Sequence, residues 1–397
     1  MRFIVTYSAH ESRTRKEKKM KTAKRLAPVI LLAALSCQPH QPAERLIQTT
    51  IPAPSLANNL FDTPTEQPIV VYLPPSYHAS EIRYPVVYFL PGFTTDVTEM
   101  IDGTFQGLNI QTSMDSLVKT GSIDEMIFVV ANGRNFLGGS FYVNSPVTGN
   151  WEDFIIKDVV GFVDKNYRTL STVASRGICG SSMGGFGAIN LAMLHPDIFS
   201  AAYSLSPGIF DEDGLTNQGM FVPEENITRY LSKQEEFDAM PEEEAKAAFK
   251  AFVAELYAAR TLYQYFWAFS YAYGAAFSPN PSKGVPYIDY PYIRNNSGLR
   301  LDRNLLKNYI NGFGGQREKV RAHKDNFLKL KALTIDSGKN DFYKWIVQGS
   351  RYYSRLLNEA GIPYEFVSHD GGHEDRLRER VENHLLPFFS EHLDSEK

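Results

Sequence analysis

Ser182 is the residue of this chain best surrounded for nucleophilic chemistry. It is the centre of Gly180-Ser181-Ser182-Met183-Gly184, a G-x-S-x-G pentapeptide. A serine hydroxyl attacks a carbonyl only with a base in hydrogen-bond reach and a third group to orient that base. It also needs donors aimed at the oxyanion that develops. The short strand-like run Ala174–Cys179 leads into the pentapeptide and the small-residue helical run Gly185–Leu194 leads out. Strand, tight turn and helix in that order make a nucleophile elbow. The glycines have a steric reason, because side chains two positions either side of a strained serine would clash. Ser182 has Gly180 and Gly184 there, whereas Ser181 has Cys179 and Met183. Chance alone supplies such a pentapeptide in ~400 positions roughly one time in ten, so the flanking pattern and the downstream residues carry the weight.

The other members should follow in the order acid, then base. His373 is the natural base. It lies in Ser368-His369-Asp370-Gly371-Gly372-His373-Glu374-Asp375, past a strand-like run, with two glycines that let the loop swing. His369, nearer the strand end, is its competitor. For the acid, Asp341 lies at a loop-to-helix junction after the run Ala332–Ile335 and could also cap that helix. Asp336, at the strand end, is expected to make a structural hydrogen bond. The acid's role is to hold the His373 tautomer and stabilise the imidazolium. One oxyanion donor should be the N–H of Met183, after the nucleophile. The second candidate is the N–H of Phe93, in Pro91-Gly92-Phe93 after the run Val86–Leu90.

Positioning these residues requires a sheet. Strand candidates are Ile69–Leu73, Val86–Leu90, Met126–Ala131, Ala174–Cys179, Ala201–Leu205, Ala332–Ile335 and Tyr364–Val367. Most are continuous apolar runs, as strands buried on both faces should be. Helical patterns at Trp151–Tyr167, Gly185–Leu194, Asp341–Ala360 and Asp375–His392 alternate with them. The expectation is an α/β fold with a mostly parallel central sheet and helices on both faces. Between about 208 and 328 the alternation stops. Pro241 with Glu242-Glu243-Glu244 marks a helix start, and Tyr263–Phe277 is aromatic on nearly every face. This stretch reads as a helical lid insertion over the site, or as a helix buried in a large core.

With 43% hydrophobic and 22% charged residues and a net charge of −4, the composition is that of a globular protein with no polycation to bind nucleic acid. The basic run Arg13–Arg25 precedes the apolar stretch Leu26–Leu35, which is too short to span a bilayer. Residues 1–37 therefore read as a secretory signal, with Met20 as the more ordinary start. Ala34-Leu35-Ser36-Cys37 resembles the lipobox of bacterial lipoproteins, which implies lipidation at Cys37 and a membrane anchor in the cell envelope or periplasm. An ordinary signal peptide and secretion is the alternative. Residues 38–46 then form a tether, and residues 47–397 the catalytic domain with its insertion. Neither nucleotide-loop nor metal-ligand spacing occurs, so no cofactor and no metal are expected.

Together, Val71–Tyr77, Tyr84–Gly92, Trp151–Ile155, Asn166–Thr169 and Gly180–Ala188 resemble the esterase D group of α/β-hydrolases, over about residues 65–207 and 330–375. That group includes feruloyl and acetyl-xylan esterases, S-formylglutathione hydrolases, siderophore esterases and mycolyltransferases. The resemblance implies an α/β-hydrolase fold, a triad of Ser182, Asp341 and His373, and Phe93 and Met183 as oxyanion donors. The chain departs from it with Leu90-Pro91-Gly92 where many members carry Leu-His-Gly, and with a longer insertion. The expected activity is serine ester hydrolysis on aromatic or medium acyl groups, small-molecule or polysaccharide-linked. An acyltransferase and a non-catalytic binding lipoprotein on the same scaffold are the alternatives.

Overall fold

The computed structural model describes residues 44–214, 224–295 and 298–396. The expected signal segment with Cys37, and residues 38–43 of the expected tether, lie outside the described residues.

The apolar runs assemble into one eight-stranded sheet. In chain order its strands are β1 (Leu46–Pro52), β2 (Glu66–Tyr72), β3 (Val86–Leu90), β4 (Ile127–Ala131), β5 (Arg176–Ser181), β6 (Ala201–Leu205), β7 (Ala332–Gly338) and β8 (Glu365–His369). Their spatial order is β1-β2-β4-β3-β5-β6-β7-β8. Every pair from β4 to β8 is parallel, and β1 and β2 join antiparallel at one edge. Successive residues feed opposite faces. Val70, Val87, Phe89, Phe128, Val130 and Cys179 enter one apolar cluster, while Val71, Val86, Tyr88, Val129 and Ile178 enter the other. Covering both faces explains why these strands read as unbroken apolar runs. Each such side chain contributes about 1.5–3 kcal/mol by leaving water.

Two departures from the sequence expectation have physical causes. Strand β1 is Leu-Ile-Gln-Thr-Thr-Ile-Pro, in which only Ile51 is buried. As an edge strand with one partner it has no need of an apolar run. Strand β7 continues past Ile335 through Asp336-Ser337-Gly338, all buried, because Asp336 is neutralised inside the fold.

The elbow helix is Met183–Leu194. Trp151–Asn166 is helical but contains a π turn at Phe154–Val159. The C-terminal run, Leu377 to His392, also widens into a π turn, at Val381–Leu385. Pro387 follows it and cannot donate to the turn before. The insertion holds the helices Glu224–Asp238, Glu242–Ala258 and Leu262–Phe277, and a small hairpin of Tyr292–Asn295 with Gly298–Leu301. Its helices interlock through rings: Phe249 on Tyr271 and Phe252 on Trp267, both at 5.1 Å.

Candidate active site

Parallel strands deliver their carboxyl ends to one edge, where loops can converge. The register aligns Leu90 with Gly180, Ser181 with Leu205, Leu205 with Asp336, and Gly338 with His369. The five loops that leave these ends carry every candidate residue except those outside the described fold.

Ser182 sits between β5 and its helix at φ 57° and ψ −113°. A non-glycine residue at positive φ is held there only when its surroundings over-determine it. Its N–H donates to the Leu205 carbonyl at 2.9 Å, and its own carbonyl accepts from the N–H groups of Phe186 and Gly208, both at 3.0 Å. The flanking glycines permit the crossing. A Cβ on Gly184 would lie 1.8 Å from the Leu90 carbonyl oxygen, and one on Gly180 would lie 2.3 Å from the Gly184 oxygen.

Asp341 is fully buried, and its Oδ2 lies 2.7 Å from His373 Nδ1. Its Oδ1 accepts from the Tyr343 N–H at 2.7 Å. The helix itself begins later than expected, at Lys344, so Asp341 closes a turn ahead of it rather than capping its first turn. The loops that carry Asp341 and His373 are stitched together. The Lys339 N–H donates to the His369 carbonyl at 2.8 Å, and the Asn340 N–H to the Gly371 carbonyl at 3.1 Å. His373 and Ser182 line one cavity with Gly92, Phe93, Met183 and Glu374. The Tyr343 ring meets the His373 imidazole edge-on at 4.9 Å.

His369 is placed differently. Its Nδ1 accepts from the Gly371 N–H at 3.1 Å, and its Nε2 faces Asp336 at 3.6 Å. It shapes the loop that carries His373 and does not line the Ser182 cavity. Burial, aided by the Arg380 charge, holds its imidazole below the usual histidine range. Asp336 bonds to Arg380 and Tyr203 in the interior.

Phe93 and Met183 flank the serine. Among the described residues neither backbone N–H donates to a protein acceptor. A Cβ on Gly92 would lie 3.6 Å from Cβ of Ser182, so the Gly92–Phe93 backbone runs directly past the hydroxyl's residue. Tyr142, buried, donates to the Pro91 carbonyl at 2.8 Å and pins that loop. Two such N–H groups can receive a developing oxyanion. The cavity wall is aromatic: Tyr265, Phe266, Phe269 and Phe313 from the insertion, with Tyr343 and Trp345 from beyond it. Phe269 packs on Phe93 at 4.9 Å. Glu374 adds a carboxylate. Part of the residue stays exposed, yet the surrounding protein and the nearby Glu99, Asp341 and Asp375 raise its carboxyl above the usual range. Tyr142, Tyr343 and Glu374 were not singled out by sequence. Glu374 alone had a signal, as the neighbour of the candidate base.

Among the described residues no group of three or more His, Cys, Asp or Glu is arranged to hold a metal ion. No described helix is long and apolar enough to cross a membrane.

The sheet order, the elbow and the residues gathered at its edge make this an α/β-hydrolase. The family model described as "Putative esterase" matches residues 62–254. These residues are similar to the esterase D-like superfamily. It is 32% identical over 141 residues to an esterase of Mycobacterium tuberculosis, a match covering 34% of this chain and 28% of that protein. It is 29% identical over 161 residues to an endo-1,4-beta-xylanase/feruloyl esterase of Xylanibacter ruminicola, covering 39% of this chain and 20% of that one. The matches thus span less than a third of those relatives' length. A solved ferulic acid esterase superposes with a TM-score of 0.54 at 20% identity, over 87% of this chain and 98% of its own.

Proposed function

We propose that this chain hydrolyses carboxylic esters through an acyl-enzyme on Ser182. The observation that carries the reading is the buried Asp341 bonded to His373 in the cavity that holds Ser182 at positive φ. His373 takes the Ser182 proton as the hydroxyl attacks the carbonyl, and the N–H groups of Phe93 and Met183 receive the oxyanion. Asp341 keeps the Nδ1 proton in place, so that Nε2 is the basic nitrogen. The imidazolium returns the proton to the leaving alcohol. The neutral imidazole then takes a proton from water as the water oxygen attacks the acyl carbon, and gives it to Ser182 Oγ as the acyl bond breaks and the acid leaves.

The acyl group we assign to the cavity is aromatic or of medium length, because eight Phe, Tyr and Trp side chains line it. Carbohydrate-linked esters are the favoured natural class. The xylanase/feruloyl esterase relative supports that choice, and so does the lipobox-like Cys37 segment, which we read as an envelope anchor. An ester panel spanning acetyl, butyryl and feruloyl groups, run with wild type and Ser182→Ala, tests the reaction. Turnover is expected in wild type only, with a fluorophosphonate labelling Ser182. Activity surviving in Ser182→Ala would overturn the mechanism. Cys37→Ser, followed by membrane fractionation, tests the anchor: the variant should leave the membrane fraction.

A further inference from the structure

The loop that presents His373 begins with Gly371-Gly372, and glycine leaves a backbone conformationally free. Something outside the loop must hold it. The His373 carbonyl accepts two hydrogen bonds, from Arg380 Nη1 and from Ser206 Oγ, each at 3.2 Å. Arg380 Nη2 in turn donates to Ser206 Oγ at 3.2 Å, while its Nε faces both Asp336 oxygens at 3.1 and 3.2 Å. The Ser206 N–H donates to the Asp336 carbonyl at 2.7 Å, and two residues on, the Gly208 N–H donates to the Ser182 carbonyl at 3.0 Å. Arg380 is 3% exposed and Asp336 and Ser206 are fully buried. One guanidinium therefore bonds the base loop, the strand that leads to Asp341, and Ser206, whose loop in turn bonds the Ser182 carbonyl through Gly208.

We propose that Arg380 is a positioning residue for His373: its guanidinium fixes the His373 backbone so that the imidazole bonds Asp341 and faces the Ser182 cavity. The inference rests on the serine mechanism proposed above. A fold that needed only a neutral interior could replace a buried ion pair with apolar groups at little loss. Here the fork geometry, with separate N–H groups for a carboxylate, a hydroxyl and a carbonyl, is something lysine cannot reproduce.

The test separates positioning from stability. Arg380→Met leaves Asp336 buried and unpaired, so its melting temperature should fall. The double variant Arg380→Met/Asp336→Asn removes both charges and should recover most of that loss. Its kcat should stay about ten- to a hundredfold below wild type, the scale of a misplaced reacting group, with KM within about twofold. The low-field Nδ1 proton resonance that the 2.7 Å bond to Asp341 should give His373 in wild-type NMR spectra should broaden or vanish in this variant. Arg380→Lys keeps the charge pair and supplies a second reading: it should fold normally and still lose kcat. Wild-type kcat in either folded variant, with the resonance intact, would overturn the proposal. If wild type itself neither turns over esters nor labels at Ser182, the ester hydrolase reading fails, and the resonance alone decides whether Arg380 positions His373.

Discussion

Asp341 Oδ2 lies 2.7 Å from His373 Nδ1, and Asp341 is completely buried. A carboxylate so placed fixes which imidazole nitrogen carries the proton. Asp341→Asn keeps the shape but allows the wrong tautomer. Its kcat on a p-nitrophenyl ester should drop on the order of 10³–10⁴-fold with KM little changed. An unaltered kcat would remove Asp341 from the mechanism. Asp336→Asn, which touches Arg380 instead, should act mainly on stability in urea unfolding.

The elbow makes a steric prediction. Gly184→Ala would drive a Cβ to 1.8 Å from the Leu90 oxygen, a backbone atom that cannot swing away. Strand β3 or the elbow helix must shift, at a cost of about 3 kcal/mol or more. Gly161, exposed on a helix with nothing within 4 Å of a Cβ, is the control. Gly161→Ala should stabilise by about 0.5–1 kcal/mol. Urea midpoints of the two variants should move in opposite directions.

The arrangement of the candidate site was legible in the sequence because each residue leaves a local mark: two glycines around Ser182, a strand end before Asp341, a Gly-Gly before His373. It made the sheet legible wherever strands are covered on both faces, as at Val86–Leu90 and Ala201–Leu205. It hid β1, whose Gln48, Thr49 and Thr50 belong to a half-exposed edge, and the end of β7, where Asp336 is buried only because Arg380, 44 residues on, meets it. His369 and His373 were separable by spacing only in part. What divides them is long-range: Asp336 facing one and Asp341 bonding the other. No local pattern records partners that distant in the chain.

His369 should shape the acid limb of stability. Burial depresses its pKa in the fold, so the unfolded chain binds this proton more readily. The stability it confers is present above the unfolded value of about 6.5 and is lost as pH falls through the folded pKa. His369→Asn, whose amide oxygen can accept from the Gly371 N–H, should flatten the pH dependence of the urea midpoint in that window. Its kcat should stay within about threefold of wild type, whereas His373→Asn should lose on the order of 10³-fold or more. Equal losses in the two would mean that the histidines were assigned wrongly.

Glu374 has the opposite sign. Its carboxyl is raised in the fold, so the folded state holds the proton more tightly than the unfolded chain. Stability from this group is present below the unfolded glutamate value and is lost as pH rises through the folded one. Glu374→Gln should therefore gain melting temperature relative to wild type at pH 7, with the gain vanishing near pH 4. A gain independent of pH would assign the effect to packing instead of charge.

The aromatic wall predicts acyl preference. Phe266 lines the cavity and meets Tyr343 edge-on at 6.1 Å, and Tyr343 in turn borders His373. An aromatic acyl group lying against Phe266 gains ring contact that an acetyl group cannot make, worth about 0.5–1.5 kcal/mol. Phe266→Ala should lower kcat/KM for feruloyl esters by about two- to tenfold relative to acetyl esters of the same alcohol. The ratio is the informative quantity, because disturbance of Tyr343 and the base behind it lowers both substrates together. A parallel fall with the ratio unchanged would place the acyl group elsewhere in the cavity, and Phe269, packed on Phe93, would be the next wall residue to test.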